Sequence, residues 1–297
     1  MLNLPFYKEK LSRIENALFI IGNGFDIFHG IKSKYKNFKE FLIFRQKNDL
    51  INLLDCFFGA DNGLWCDLEC ALGKYNEEYI FEECRPDEEI DLDHYMRSMA
   101  AIEDSPSNLF IPVMEELKKE FVTWVNSISL KEVDKKLDGI NSSSLYFTFN
   151  YLETLEEIYC IPKNKVFHIH GSRLKKSVYE FGHDNFRRYE YSEGEDVLYC
   201  EEEALRSIVS IMNNYVKQYD ENIERCSEFF LRLSSIERII VIGHSLSRID
   251  NPYFVKIQKY ISPKLHWDIS CHSNADIKHI KQRCYDLQIN NYELFEM

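Results

Sequence analysis

In Ala17-Leu-Phe-Ile-Ile-Gly-Asn-Gly-Phe-Asp-Ile-Phe-His-Gly30, four apolar residues, Leu18 to Ile21, run straight into Gly22-Asn23-Gly24. A short unbroken apolar run that stops at glycine predicts a strand buried on both faces. The glycines allow a tight turn and a close backbone approach to a ligand. Asp26 is placed to cap a helix beginning at about Ile27. Strand, glycine turn and helix N-terminus together suit an anion, because free N–H groups and the positive end of the helix dipole converge there. The dinucleotide fingerprint is incomplete, since position 27 is Ile where a third glycine would stand.

Further along, the same grammar returns. Ser144-Leu-Tyr-Phe-Thr-Phe-Asn150 is a β-rich run ending on a polar residue, and Asn164-Lys-Val-Phe-His-Ile-His-Gly171 ends on histidine and glycine. Arg238 to Ile242 passes into Gly243-His-Ser-Leu-Ser-Arg-Ile-Asp250, and Leu265 to Ser270 gives a fifth strand. Helical spacing fills the intervals 153–159 and 275–287. Another helix starts at Asp250-Asn-Pro252, with the proline in its first turn, and Tyr292 to Phe295 reads as an edge strand. Strands alternating with helices predict an α/β fold with a parallel, right-handed sheet. In such sheets ligands bind outside the carboxyl ends of the strands, where Asn150 and His170 fall.

The organisation expected is a single α/β domain over 1–297 with a large helical insertion at 47–140 and a second, mainly helical one at 175–235. Residues 1–16 read as an amphipathic lead-in, and Tyr35 to Arg45 as a helix with Tyr35, Phe38, Phe41 and Leu42 on one face. Trp65 stands beside acids in a stretch that reads as helix. Glu77 to Asp93 is an acidic block, Asp104-Ser-Pro-Ser-Asn108 reads as a loop, and Leu109 to Leu130 resumes helical spacing.

Composition narrows the function. The net charge of −13 repels a phosphate backbone and argues against broad nucleic-acid binding. Lys32, Lys34, Lys36 and Lys39 follow the glycine turn, and read as a solvated face more readily than as an anion site. No apolar run is long enough to span a bilayer and no signal peptide opens the sequence, so a cytoplasmic protein without a membrane partner is expected. Nine irregularly spaced cysteines suit reduced thiols. Cys66 and Cys70, placed one turn apart on a helix, lack a matching second pair, so no metal is expected.

Four short segments resemble sirtuin motifs in the same order. Gly22-Asn-Gly-Phe-Asp…Gly30-Ile31 resembles the glycine motif Gly-Ala-Gly-x-Ser…Gly-Ile, and Thr148-Phe-Asn150 the Thr-x-Asn segment. His170-Gly171-Ser172 resembles the catalytic His-Gly, and Gly243-His-Ser-Leu246 the Gly-Thr-Ser-Leu element. More closely, Gly-Asn-Gly-Phe-Asp, Phe-Asn-Tyr, His-Ile-His-Gly and Gly-His-Ser-Leu with Asp250 resemble the bacterial abortive infection proteins called AbiH. That resemblance implies a sirtuin-like, Rossmann-type fold, a role in defence against phage, and NAD as ligand and substrate. It places Asn150 and His170 in catalysis. It places Gly22, Asn23, Gly24, Phe25, Asp26, Gly171, Gly243, His244, Ser245 and Asp250 at the nucleotide. Between the Asn and Gly-His-Ser segments stand Cys160, Cys200 and Cys226 without a Cys-x-x-Cys pair, unlike the four-cysteine ribbon of sirtuin deacylases. Cleavage of NAD to nicotinamide and ADP-ribose therefore fits better than protein deacetylation. The candidate partners are NAD or a related nucleotide, a second copy of the chain, and a phage-derived trigger.

Two rival readings remain open at this stage. Val241-Ile-Gly-His-Ser-Leu-Ser247 imitates a nucleophile elbow with Ser245, as in an α/β-hydrolase, although Ser247 replaces the second glycine. A non-catalytic sensor of NAD or ADP-ribose would use the same pocket.

Overall fold

A computed structural model describes residues 4–7, 14–59, 63–86, 91–131, 133, 135–173, 179–191 and 198–297. Most of the lead-in expected over 1–16, and parts of the acidic block and of the segment 175–235, lie outside these residues. Six strands form one all-parallel sheet: β1 (Ala17–Ile21), β2 (Leu145–Thr148), β3 (Val166–His168), β4 (Arg238–Ile242), β5 (His266–Cys271) and β6 (Tyr292–Glu296), in the order β3-β2-β1-β4-β5-β6. This is the doubly wound, Rossmann-like order, whose switch point falls between the first and fourth strands. The five strand runs legible in the sequence carry the first five strands, with β2 and β3 shorter than the runs that hold them, and Tyr292–Glu296 supplies the edge.

Both faces of the sheet are covered, which is why its strands read as continuous apolar runs. Leu18, Ile20, Phe147, Ile239, Val241 and Ile269 pack into one core with Tyr253, Phe254 and Ile257 of the helix Asn251–Gln258 and Ile280 and Cys284 of the helix Asn274–Asp286. Ala17, Phe19, Ile21, Tyr146, Ile240 and Ile242 pack on the other face with Phe25 and Leu155. Every residue of β1 is buried, and each fully buried Leu, Ile or Phe contributes about 1.5–3 kcal/mol.

By their contacts the residues divide into two compact units. The first comprises Met1–Lys34, Val125–Glu180 and Gln218–Met297 and contains the sheet; the second comprises Tyr35–Trp124 and Phe181–Lys217. The second is helical, with Tyr35–Phe44, Asn48–Phe58, Leu68–Gly73, Glu77–Cys84 and Tyr199–Asn213 joined by the helix Tyr95–Ser127 as far as Trp124. Phe38, Phe121 and Trp124 pack ring against ring at its centre.

Three local expectations need correction. The helix after β1 runs from Asn23 to Phe28, not from about Ile27, so Asp26 lies in its first turn and Gly22 is the N-cap. Asp104-Ser-Pro-Ser-Asn108 is not a loop but part of the helix Tyr95–Ser127. Pro106 cannot donate to the carbonyl of Ile102 four residues back. The hydroxyl of buried Ser105 donates to that oxygen instead, at 2.8 Å. Cys66 sits in a turn ahead of the helix Leu68–Gly73, which Asp67 caps by accepting from the Cys70 N–H at 3.1 Å.

Candidate functional site

The turns after β1 and β4 are locked together through glycine. Gly22 N–H continues the ladder to the carbonyl of Ile242 at 3.0 Å, and Gly24 N–H donates to that of Gly243 at 2.8 Å. A Cβ at Gly22 would come within 2.6 Å of the Gly243 oxygen and 2.7 Å of the His244 Cα, and one at Gly24 within 2.6 Å of the Gly243 Cα. Gly243 has φ +64°, and a Cβ there would meet the Phe25 nitrogen at 2.2 Å. These contacts account for the missing side chains at 22, 24 and 243. The Phe25 N–H donates to the Gly22 carbonyl at 3.0 Å. Two amides of the first helical turn are therefore committed within the protein, and the turns serve to bring the carboxyl ends of β1 and β4 together.

At the ends of β2 and β3 the ladder continues past the strands, with Phe149 N–H on Ile21 O and Ile169 N–H on Thr148 O. Asn150 and His170 thus stand at adjacent strand ends, both buried. The Asn150 amide nitrogen donates to the Gly22 carbonyl at 3.1 Å, bracing β2 against the glycine turn. Behind it, Asp26 accepts from the Thr154 hydroxyl at 2.7 Å. Burial pushes the Asp26 carboxyl up to about 7, against the lowering influence of Thr154, His168, Arg173 and Asn150. His168 has Nδ1 at 2.9 Å from the Asn150 carbonyl and Nε2 at 3.0 Å from Glu156.

The second half of the site is a chain of carboxylates and imidazoles. His170 Nδ1 lies 3.1 Å from Glu180 Oε2, and its Nε2 lies 3.9 Å from Asp250 Oδ1. Asp250 Oδ2 is 3.3 Å from His244 Nε2. The Leu246 N–H donates to His244 Nδ1 at 2.9 Å, so Nδ1 is an acceptor and the proton sits on Nε2, facing Asp250. Phe149 fills the space beside both rings, with centroids 4.2 Å from His244 and 5.6 Å from His170. Asp250 is the N-cap residue of Asn251–Gln258 but makes no side-chain cap; its carboxylate serves the histidines.

The expected site residues thus separate. His170, His244 and Asp250 come together, as do Gly22, Asn150 and Asp26; Gly171 turns the chain after His170 at φ +82°. Asn23 is tied to Ser33, whose hydroxyl donates to its Oδ1 at 2.5 Å. Phe25 is fully buried against His29 and Tyr159. Ser245 is exposed, and His279 approaches its backbone oxygen at 3.0 Å, not its hydroxyl. An elbow needs its strand to turn directly into a helix around the serine. Here β4 ends at Ile242, the positive φ values fall on Gly243 and Leu246, and the helix begins only at Asn251.

Glu180, Tyr253 and Thr154 were not singled out by sequence reasoning. Tyr253 and Thr154 occupy ordinary amphipathic helix positions. Glu180 precedes Phe181-Gly-His-Asp-Asn185, where turn residues were the only signal. Among the described residues one set of metal-type ligands gathers, His266, Asp268 and Glu293, with ligand atoms within 4.8 Å of one another. It lies toward the amino ends of β5 and β6, and Arg238 pairs with Asp268, so it adds nothing to this site. No described helix is long and apolar enough to cross a membrane.

Comparison with curated proteins and with solved structures returned no match. The family model described as bacteriophage abortive infection AbiH matches residues 18–271, from the second residue of β1 to the last of β5, and so takes in both glycine turns, Asn150, the His170–Glu180 pair and the His244–Asp250 pair. On that span, the chain belongs to the AbiH family of abortive infection proteins.

Proposed function

We propose that this protein carries out its anti-phage role by hydrolysing NAD to nicotinamide and ADP-ribose at the carboxyl ends of β1 to β4. The observation that supports this reading best is buried His170, held at Nδ1 by a carboxylate and presenting Nε2 toward a second one. In the reaction the bond between the nicotinamide nitrogen and ribose C1′ breaks, and its electron pair stays with nicotinamide, which leaves as a neutral group. A water oxygen bonds to C1′, and its proton passes to His170 Nε2. The Oδ1 of Asn150 accepts a hydrogen bond from a ribose hydroxyl or from that water, fixing its direction of approach. The glycine turns contribute by holding β4, with His244 and Asp250, against β1. The family membership supports the defensive role; NAD enters through the motif resemblance and the chemistry of these side chains.

The test is NAD consumption by purified wild type, His170→Ala and Asn150→Ala, each checked for folding by its melting curve. Losses of about 10²–10⁴-fold are expected for His170→Ala, the range for removing a general base, and a comparable loss for Asn150→Ala through misplacement. Full activity in both folded variants would overturn the assignment. A wild type that binds NAD or ADP-ribose without turnover, with phage lysate present as trigger, would leave a sensor in its place.

A further inference from the structure

We infer that Glu180 is the positioning residue for His170, fixing the tautomer in which Nδ1 carries the proton and the Nε2 lone pair faces Asp250. The inference rests on the reading of His170 as the proton acceptor in NAD hydrolysis, but its structural half stands apart from that reaction.

Glu180 is held more firmly than a chance neighbour of a histidine. Its N–H donates to the His170 carbonyl at 3.0 Å, so the two residues are paired through the backbone as well as the side chains. Its own carbonyl accepts from the Tyr151 hydroxyl at 2.9 Å. Its Oε1 accepts from the Gln218 N–H at 2.8 Å, and its Oε2 faces both His170 Nδ1 and the Tyr253 hydroxyl at 3.4 Å. Burial pushes the Tyr253 hydroxyl well up, keeping it protonated, and Asn222 donates to its oxygen at 3.3 Å. That leaves the Tyr253 proton for Glu180. A carboxylate surrounded by donors is an acceptor, so the proton shared with His170 belongs to Nδ1. The alternative partner is Asp250, whose Oδ1 lies farther, at 3.9 Å and beyond hydrogen-bond distance, while its Oδ2 receives the His244 Nε2 proton at 3.3 Å. The two histidines therefore carry their protons on opposite nitrogens, and only His170 turns an acceptor nitrogen toward Asp250. When His170 takes up a proton, Glu180 and Asp250 flank the imidazolium and stabilise it.

The experiment uses the full chain with ¹⁵N-labelled histidine and reads the His170 tautomer by NMR, with His170→Ala to assign the signal, alongside kcat and KM for NAD. Wild type is expected to show the Nδ1–H tautomer. Glu180→Leu removes the acceptor, so the proton should move to Nε2–H, toward Asp250. In that variant kcat should fall about 10²–10⁴-fold, the range seen when an orienting carboxylate is lost, with KM within a few-fold. Glu180→Asp should recover part of kcat. Should the Leu variant fail to fold, Glu180→Gln keeps the shape and should still lose kcat without losing KM. An Nε2–H tautomer in wild type, or an unchanged tautomer or unchanged kcat in a folded Glu180→Leu, overturns the inference. If wild type proves unable to cleave NAD, the tautomer pair alone decides: a switch between wild type and Glu180→Leu upholds the positioning role, and no switch sinks it.

Discussion

Asp26 and Glu180 are two acids that the same unit treats in opposite ways. Glu180 is surrounded by donors from Gln218, Tyr253 and His170. Asp26 has the Thr154 hydroxyl as its near donor and is 1% exposed, so burial dominates and lifts its carboxyl from 3.8 to about 7. Because the folded value lies above the unfolded one, the folded state binds this proton more readily. Asp26 costs nothing below about pH 4, costs more as pH rises toward 7, and reaches its full cost above that, on the order of 4 kcal/mol from the size of the shift. Asp26→Asn keeps an oxygen for Thr154 and never ionises. Its melting temperature relative to wild type should therefore climb between pH 5 and pH 8; a gap that does not change with pH would show that burial of this charge is not the controlling term. The role expected of Asp26 from sequence, capping a helix at Ile27, failed because the helix takes its cap from Gly22. Nothing local to positions 22–27 reveals that the β4 turn supplies the acceptor for the Gly24 amide.

At the scale of elements, the strands were legible because burial on both faces leaves unbroken apolar runs, as in Leu18–Ile21 and Ile239–Ile242. Strand ends were legible too, since glycine or a polar residue stops each run, and this put Asn150, His170 and the 243–250 loop at one edge. Helix continuity through Pro106 was not legible. Proline and serine are breakers by local rule, whereas the Ser105 hydroxyl supplies the bond to Ile102 that Pro106 lacks. Glu180 was hidden for a similar reason: its partners come from 151, 170, 218 and 253, and no periodicity at 175–185 announces them. The paired glycine turns make a direct prediction. Gly243→Ala meets backbone at 2.2–2.6 Å and adopts φ +64°, while Gly30→Ala at φ +77° meets nothing within 4 Å. The left-handed conformation alone costs about 1–2 kcal/mol, so Gly30→Ala should lose roughly that in urea unfolding. Gly243→Ala should lose clearly more, together with NAD turnover. Equal losses would mean that the close approach of the two turns is not a constraint.

For the whole molecule, membership of a family of abortive infection proteins sets the setting in which activity is read. Cells expressing the chain should lose NAD and gain nicotinamide after phage infection, measured in extracts over the infection cycle, while cells expressing His170→Ala keep their NAD. Protection by the wild type with constant NAD would separate the defensive role from this chemistry. The central pairing of the sheet has one more consequence, for the order in which the molecule is made. β1 lies beside β4, with Ala17 opposite Arg238, so β1 leaves the ribosome long before the second of its two neighbours. Until then β1 is an open edge of a three-stranded sheet, and His244 and Asp250 have not joined the carboxyl ends of β1, β2 and β3. Pairings this distant in sequence form late and slowly. On the NAD-hydrolase reading the site stays incomplete while β4 is absent, and a polypeptide that stalls before β4 is expected to lack NAD turnover.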